Sequence, residues 1–141
     1  MAVPTNPPQD FVRPRIVVAD DHRAMLETLV GLLSTAFEVI AAVGDGTAAV
    51  SEATTRDPDI VVLDIAMPGL NGIAAAARIK QAGCGAKIVF VTNLRDREFL
   101  DESRRLGNVG FVTKDRLVAD LIPAIDRVLA GQPFVSPTVT S

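Results

Sequence analysis

The chain has 141 residues, of which 14 are basic, 17 are acidic and one is a cysteine. This length suits a single domain, and the net charge of −3 argues against a basic surface for nucleic acid or an anionic membrane. One cysteine excludes an intrachain disulfide and a multi-cysteine zinc site. The uncharged stretches are too short to span a bilayer and the N-terminus has no signal-peptide pattern, so we expect a soluble, cytoplasmic protein.

Two tails flank the predicted domain. The first fourteen residues hold four prolines and show neither a helical nor a strand period, so we expect a flexible tail over residues 1–13. Residues 132–141 also lack a period and are expected to form a second tail. The predicted domain therefore covers residues 14–131.

Between the tails, short apolar segments alternate with segments of helical period. In chain order the sequence predicts a strand over 15–19, a helix over 22–35, a strand over 37–43, a short helix capped by Thr47 and ended by Asp57, a strand over 59–63, a helix over 73–81, a strand over 87–91, a helix over 95–106, a strand over 109–112 and a last helix ended by Gly131. Proline is costly inside a helix, so Pro123 predicts that the last helix begins late, with Asp120 as its N-cap.

Three of the strand cores, at 16–19, 60–63 and 88–91, are continuously apolar rather than alternating. Strands buried on both faces have this pattern, which indicates a parallel sheet between two layers of helices. Right-handed crossovers then predict a doubly wound α/β domain of five strands. In such a sheet, ligands bind beyond the carboxyl ends of the strands.

Polar side chains follow four of the five strands at that edge. They are Asp20, Asp21, Asp64, Thr92 and Lys114. Taken singly, each has an ordinary interpretation as a helix cap, a turn residue or a solvated charge. Taken together, three carboxylates repel one another unless a cation lies among them, and oxygen ligands favour Mg²⁺ or Mn²⁺ over zinc. A hydroxyl and an amine beside them suit phosphoryl transfer.

Four segments carry a resemblance to a known family: VVADDH (17–22), VVLDIAMPGLNG (61–72), IVFVT (88–92) and GFVTKD (110–115). They resemble the receiver domain of bacterial response regulators, and the Asp-Asp-His and Lys-Asp pairs are most similar to the NarL/FixJ subfamily. The resemblance covers roughly residues 14–131. It implies a flavodoxin-like fold with strand order 2-1-3-4-5 and a role in two-component signalling.

The resemblance also implies roles for individual residues. Asp64 would be the phospho-acceptor, Thr92 the switch hydroxyl, Lys114 the phosphate partner and Phe111 the switch aromatic. The implied ligands of Mg²⁺, for which Mn²⁺ can substitute, are Asp20, Asp21, Asp64 and the backbone carbonyl of Ala66. His22 is expected to be an exposed residue of the first helical turn and not a ligand.

The implied partners are a histidine kinase and, through the fourth helix, the fifth strand and the last helix, an effector domain or a second copy of the chain. We expect no direct binding of nucleic acid or membrane by this segment. Residues 133–137 resemble the start of the linker to an effector domain, which favours a piece of a transcriptional regulator over a stand-alone receiver. The protein would be no enzyme in the usual sense, but a phospho-acceptor that assists its own phosphorylation and dephosphorylation.

Two departures from the family pattern and three alternative functions bear on this interpretation. Asn93 follows the switch hydroxyl where the family commonly has alanine, and Asp115 replaces a common proline, so we expect a trans peptide bond there. A phosphatase of the haloacid dehalogenase kind needs a second aspartate where this chain has Ala66. A nucleotide-binding flavodoxin-like module needs glycines at the first strand-to-helix turn, where this chain has two acids. An unphosphorylated pseudo-receiver is disfavoured by the intact acid, hydroxyl and lysine set.

Overall fold

The computed structural model describes residues 12–93 and 97–137. The strands in this part of the chain are β1 (Arg15–Ala19), β2 (Glu38–Val43), β3 (Ile60–Leu63), β4 (Lys87–Thr92), β5 (Gly110–Thr113) and β6 (Phe134–Val135). The helices are α1 (Arg23–Leu33), α2 (Gly46–Arg56), α3 (Gly72–Gln81), α4 (Arg97–Arg104) and α5 (Leu117–Leu129), and one turn of 3₁₀ helix (Lys114–Arg116) precedes α5. No helix in these residues is long and apolar enough to cross a bilayer.

The strands form one sheet in the order β2-β1-β3-β4-β5-β6, and every pairing is parallel. The order of the first five strands is the expected one. Alternate residues of a strand face opposite layers: Val17 packs in the layer of α2, α3 and α4, whereas Ile16 and Val18 pack in the layer of α1 and α5. The continuous apolar strand cores thus bury both faces of the sheet, as their pattern predicts.

The registers bring the carboxyl ends of the central strands to one edge. Ala19 of β1 pairs with Leu63 of β3, and Leu63 pairs with Phe90 of β4. The amide of Asp64 donates a hydrogen bond to the carbonyl of Ala19 at 3.0 Å, so β1 and β3 stay in contact at the point where both strands end. The next residue of each strand is an aspartate.

The expectation of five strands and a structureless segment from residue 132 is wrong. Within that segment β6 pairs with β5, with Phe134 opposite Gly110 and Val135 opposite Phe111. A two-residue strand has no period that a sequence pattern could display, and its place is set by packing on the sheet edge. Residues 1–11 and 138–141, which complete the two predicted tails, lie outside the described residues.

The last helix begins at Leu117, not after Asp120, and contains Pro123. Leu117 is buried in the α1 and α5 layer together with Leu121 and Ile125, so tertiary packing outweighs the cost of the proline, whose ring lies on the exposed side of the helix.

Two smaller expectations also differ at element ends. The N-cap of α2 is Asp45, whose carboxylate accepts from the amide of Ala48 at 2.7 Å, and not Thr47. The start of the predicted fourth helix, residues 95–96, lies outside the described residues, and α4 ends at Arg104. These differences leave the sheet and its carboxyl edge unchanged.

Candidate functional site

Asp20 and Asp64 lie side by side, each directly after a buried strand. Asp20 is fully buried and Asp64 is 3 % exposed. One oxygen of each carboxylate accepts from a backbone amide two residues further on: Asp20 Oδ1 from His22 at 2.9 Å and Asp64 Oδ1 from Ala66 at 3.2 Å. These local hydrogen bonds orient both carboxylates and leave their second oxygens directed to a common neighbour.

That neighbour is Lys114, on the 3₁₀ turn that follows β5. Its Nζ lies 3.0 Å from Asp20 Oδ2 and 3.2 Å from Asp64 Oδ2. The contact with Asp64 is a hydrogen bond, whereas Asp20 Oδ2 has the ion pair without an aligned hydrogen bond. The peptide bond between Lys114 and Asp115 is trans, as expected. The ammonium group therefore bridges two acids that come from different strands.

One ammonium group does not fully compensate the buried acids. Burial raises the pKa of Asp64, Lys114 lowers it in part, and the nearby Asp20 raises it again, so that the net direction is upward. For Lys114, burial alone would lower the pKa, but the close contacts of its ammonium group with the carboxylates of Asp20 and Asp64 outweigh burial and raise it. The site thus favours an additional positive charge.

The donor atoms suit a hard cation. Asp20, Asp21, His22 and Asp64 each present one potential ligand atom within 4.8 Å of the others. Asp20 Oδ2 is buried and already faces a cation, the Lys114 ammonium at 3.0 Å, so this oxygen lies where positive charge is favoured. Carboxylate oxygens are the ligands that Mg²⁺ and Mn²⁺ prefer.

His22 is the one member of this cluster that was not expected to be a ligand. Its side chain is 74 % exposed, and Nδ1 lies 3.2 Å from Asp21 Oδ1 and 3.6 Å from Asp20 Oδ1. A nitrogen donor on the solvent side is a poor ligand for Mg²⁺ but a suitable hydrogen-bonding partner for the acid pair. Its position directly after Asp21 at a helix start is the signal that it could contact the site.

Thr92 and Phe111 lie on the neighbouring strands. Thr92 is the last residue of β4, is fully buried and pairs in register with Thr113 of β5. Phe111 lies opposite Phe90 and is fully buried in the apolar layer of α2, α3 and α4. The structure therefore brings Asp20, Asp21, Asp64 and Lys114 together, with Thr92 at the adjacent strand end and Phe111 inside the core.

The loop after Asp64, which carries Ala66, is held by two glycines. The amide of Gly72 donates to the carbonyl of Ile65 at 2.9 Å, and a Cβ at Gly72 would collide with the carbonyl oxygen of Asp64. A Cβ at Gly46 would collide in the same way with the carbonyl of Leu70. Only glycine permits these approaches, and no local pattern in the sequence marks Gly46 or Gly72 for this role.

Known proteins with similar sequences are response regulators. The family model described as "Response regulator receiver domain" matches residues 16–126. The transcriptional regulatory protein PdtaR of Mycobacterium tuberculosis is 32 % identical over 131 residues, which cover 92 % of this chain and 63 % of that protein. The response regulator GacA of Pseudomonas viridiflava is 28 % identical over 127 residues, covering 89 % of this chain and 59 % of GacA. The chain thus spans about three fifths of the length of these curated relatives.

Solved structures are similar over nearly the whole chain. A two-component response regulator of the LuxR family from Aurantimonas has a TM-score of 0.84 and 32 % identity, covering 90 % of this chain and 92 % of that one. The signal receiver domain of the putative response regulator NarL from Mycobacterium tuberculosis has a TM-score of 0.80 and 26 % identity, covering 86 % and 99 %. With five polar side chains at the carboxyl edge of a doubly wound sheet and a family match over most of its length, the chain belongs to the response regulator receiver domain family.

Proposed function

We propose that this receiver domain takes a phosphoryl group from a histidine kinase onto Asp64 in a step that depends on Mg²⁺. The observation that carries the proposal is the placement of Asp64: its carboxylate is buried at a strand end, hydrogen-bonded to Lys114 and next to two further acids. Asp20 shares these neighbours, with Lys114 Nζ at 3.0 Å, and the choice of Asp64 as the acceptor rests on its match to the acceptor position of the receiver family. The same placement favours a working receiver over the pseudo-receiver alternative.

In the transfer, an oxygen of Asp64 attacks phosphorus and the bond from phosphorus to the donor's imidazole nitrogen breaks, which yields an acyl phosphate on Asp64. Asp20, Asp21, Asp64 and the carbonyl of Ala66 would hold Mg²⁺, which supplies positive charge to the phosphoryl oxygens. Lys114 neutralises part of the same charge, and the buried position of Asp64 limits the access of bulk water. Ala66 carries no acid, so this chain lacks the group with which phosphatases of the haloacid dehalogenase kind complete turnover.

The output of phosphorylation is assigned to the face formed by α4, β5 and α5. Thr92 is the last residue of β4 before the chain continues to α4. It follows Val91 and pairs in register with Thr113 of β5. An effector domain or a second copy of the chain would bind that face. Because the curated relatives are longer and PdtaR is named a transcriptional regulatory protein, we assign this chain to a cytoplasmic transcriptional regulator, with a stand-alone receiver as the alternative.

Intact-mass spectrometry tests the assignment of Asp64. Incubation with acetyl phosphate and Mg²⁺ should add about 80 Da, the mass of one phosphoryl group. Asp64→Asn should abolish this adduct, whereas Asp126→Asn, a change at an exposed site on α5, should retain it. An adduct of the same yield in Asp64→Asn would show that another residue accepts the phosphoryl group.

A further inference from the structure

The short strand β6 is attached to the domain through a buried serine. The amide of Ser136 donates to the carbonyl of Phe111 at 2.9 Å, and its side chain is 1 % exposed. The Ser136 hydroxyl donates to Asp120 Oδ2 at 2.7 Å and accepts from the amide of Thr113 at 3.1 Å. One side chain in the C-terminal segment thus joins the end of β5 to the first turns of α5.

Asp120 extends this contact to the 3₁₀ turn. It is 5 % exposed and accepts two hydrogen bonds of 3.0 Å from the guanidinium of Arg116. The Arg116 hydrogen bond lowers the pKa of Asp120, and the hydroxyl of Ser136 adds to the effect, so the carboxylate is held ionised. We call Ser136, Asp120 and Arg116 the C-terminal latch.

Lys114 lies between the two points at which the latch holds the chain. Thr113, directly before it, is bound through its amide to Ser136, and Arg116, two residues after it, is bound to Asp120. The 3₁₀ turn that carries Lys114 is therefore held on one side by Ser136, whose contact depends on the docking of β6, and on the other by the Arg116–Asp120 pair, whose carboxylate Ser136 also contacts. The ion pairs of Lys114 with Asp20 and Asp64 require that turn to stay in place.

We propose that the latch positions Lys114 for its contact with Asp64, and that docking of β6 and phosphorylation of Asp64 are consequently coupled. Ser136 and Asp120 are positioning residues, because neither contacts the carboxylate that reacts. The coupling is reciprocal by thermodynamic necessity: displacement of β6 changes the phosphorylation of Asp64, and a phosphoryl group that draws Lys114 changes the docking of β6. The inference rests on the proposed function of Asp64.

The polar chemistry of the latch makes it suitable for such a switch. Loss of the Ser136 hydroxyl removes a hydrogen-bond partner from the Thr113 amide and from a buried oxygen of Asp120, so two buried polar groups each lose a hydrogen bond at once. An apolar contact would weaken gradually as β6 moves, whereas a buried hydrogen-bonded network loses its stability when one member leaves. The segment that ends at Ser136 is thereby connected to the turn that carries Lys114 through the Ser136 hydroxyl, in addition to the pairing of β6 with β5.

The test compares Ser136→Ala with Ser103→Ala in the full chain. Ser103 is equally buried, and its hydroxyl donates to the carbonyl of Leu100 within α4, away from Lys114. With the fold confirmed by circular dichroism, Ser136→Ala should shift the backbone resonances of Thr113, Lys114 and Arg116 and slow phosphorylation by acetyl phosphate about fivefold, the factor for one lost hydrogen bond. Ser103→Ala should do neither.

A second variant and a reverse measurement complete the design. Asp120→Asn keeps the shape of the side chain and removes its charge, and it should shift the backbone resonances of Thr113, Lys114 and Arg116. This variant provides the test if Ser136→Ala does not fold. In the wild-type chain, beryllofluoride or phosphorylation at Asp64 should change the hydrogen-exchange rate of the Ser136 amide.

The inference would be overturned if Ser136→Ala and Asp120→Asn both had the same Lys114 resonances and the same phosphorylation rate as Ser103→Ala. Failure of the wild-type chain to take up a phosphoryl group would instead refute the proposed function. The two failures can be told apart, because the resonances of Lys114 in the variants are compared without phosphate.

Discussion

Lys114 Nζ lies 3.0 Å from Asp20 Oδ2, and the two side chains are 8 % and 0 % exposed. This buried ion pair joins a residue that follows β5 to one that follows β1, across the carboxyl edge of the sheet. Because Asp20 belongs to the acid cluster that would hold Mg²⁺, the ammonium group and the metal ion compete for the same negative charge. The competition can be measured.

Replacement of Lys114 should make the fold more dependent on Mg²⁺. Lys114→Ala leaves buried carboxylates without their counter-charge, which costs about 3–5 kcal/mol when one partner of a buried pair is removed. Added Mg²⁺ then binds a more negative site and should raise the melting temperature of the variant more than that of the wild type. Lys80→Ala, an exposed change on α3, is the control in thermal unfolding with and without Mg²⁺. An equal gain in all three proteins would show that Lys114 does not compete with the metal.

Neutralisation of Asp64 should stabilise the metal-free protein near pH 7. The folded-state pKa of Asp64 is raised above its ordinary value of 3.8, chiefly by burial. The stability contributed by the protonated form is fully present below that value and is lost as the pH rises through the folded-state pKa. Asp64→Asn, which resembles the protonated acid, should therefore raise the melting temperature by a few degrees at pH 7, and its advantage should shrink towards pH 4.

Saturation with Mg²⁺ should reduce the same advantage, since the metal compensates the ionised acid in the wild type. Thermal melts of the wild type, Asp64→Asn and Asp126→Asn across pH provide the measurement. A melting temperature of Asp64→Asn below that of the wild type at pH 7 would contradict the direction of the pKa shift.

Loss of Asp21 should remove metal binding without loss of the fold. Asp21 is partly exposed, contacts His22 at 3.2 Å and has no part in the buried ion pair of Lys114. Asp21→Ala should lower the affinity for Mg²⁺ by at least about tenfold, which is the loss seen even when a residue that only supports a metal ligand is replaced. The variant should also fail to be phosphorylated. Titration with Mg²⁺ followed by NMR is the measurement, and Glu27→Ala on the exposed side of α1 is the control. Normal Mg²⁺ dependence in Asp21→Ala would remove Asp21 from the ligand set.

Signal transmission should depend on Thr92 more than on rotation of Phe111. Phe111 already lies fully buried in the apolar layer, so an inward movement of its ring is not available as a response. Beryllofluoride at Asp64 should shift resonances from Thr92 through Lys114, and Thr92→Ala should suppress the shifts in α4 and β5. Phe111→Leu should lower stability by about 1 kcal/mol and leave those shifts in place. Shifts confined to the surroundings of Asp64 in the wild type would contradict transmission along this path.

Replacement of Pro123 should stabilise α5. Its ring nitrogen cannot donate to the carbonyl of Ala119, although the helix continues on both sides. Pro123→Ala restores a donor on the exposed side and should raise the free energy of unfolding by about 1–3 kcal/mol. Val118→Ala, an exposed change in the same helix, should alter it by less than about 0.5 kcal/mol. Urea unfolding of both variants gives the comparison, and a destabilised Pro123→Ala would show that the ring has a packing role.

The strand cores and the residues after them could be predicted from the sequence because both depend on strong local signals. Continuous apolar runs indicated a parallel sheet, and the rule for carboxyl ends then placed Asp20, Asp64 and Lys114 together, as observed. The start of α5 could not be predicted, since the burial of Leu117 outweighs the unfavourable proline. The contact of Ser136 with Asp120 joins residues whose segments have no shared pattern, so only the folded chain reveals it.

Strand β6 has a further consequence for the solubility of the domain. All four residues of β5 are buried, so without a neighbour β5 would present an apolar sheet edge that invites strands of other molecules. Two residues of β6 cover this edge and are themselves too short to template another strand. A chain that ends at residue 131, where the sequence pattern places the domain end, would lack β6 and expose the edge of β5. Self-association of such a shortened chain would result from this exposed edge and would not report how the receiver domain assembles.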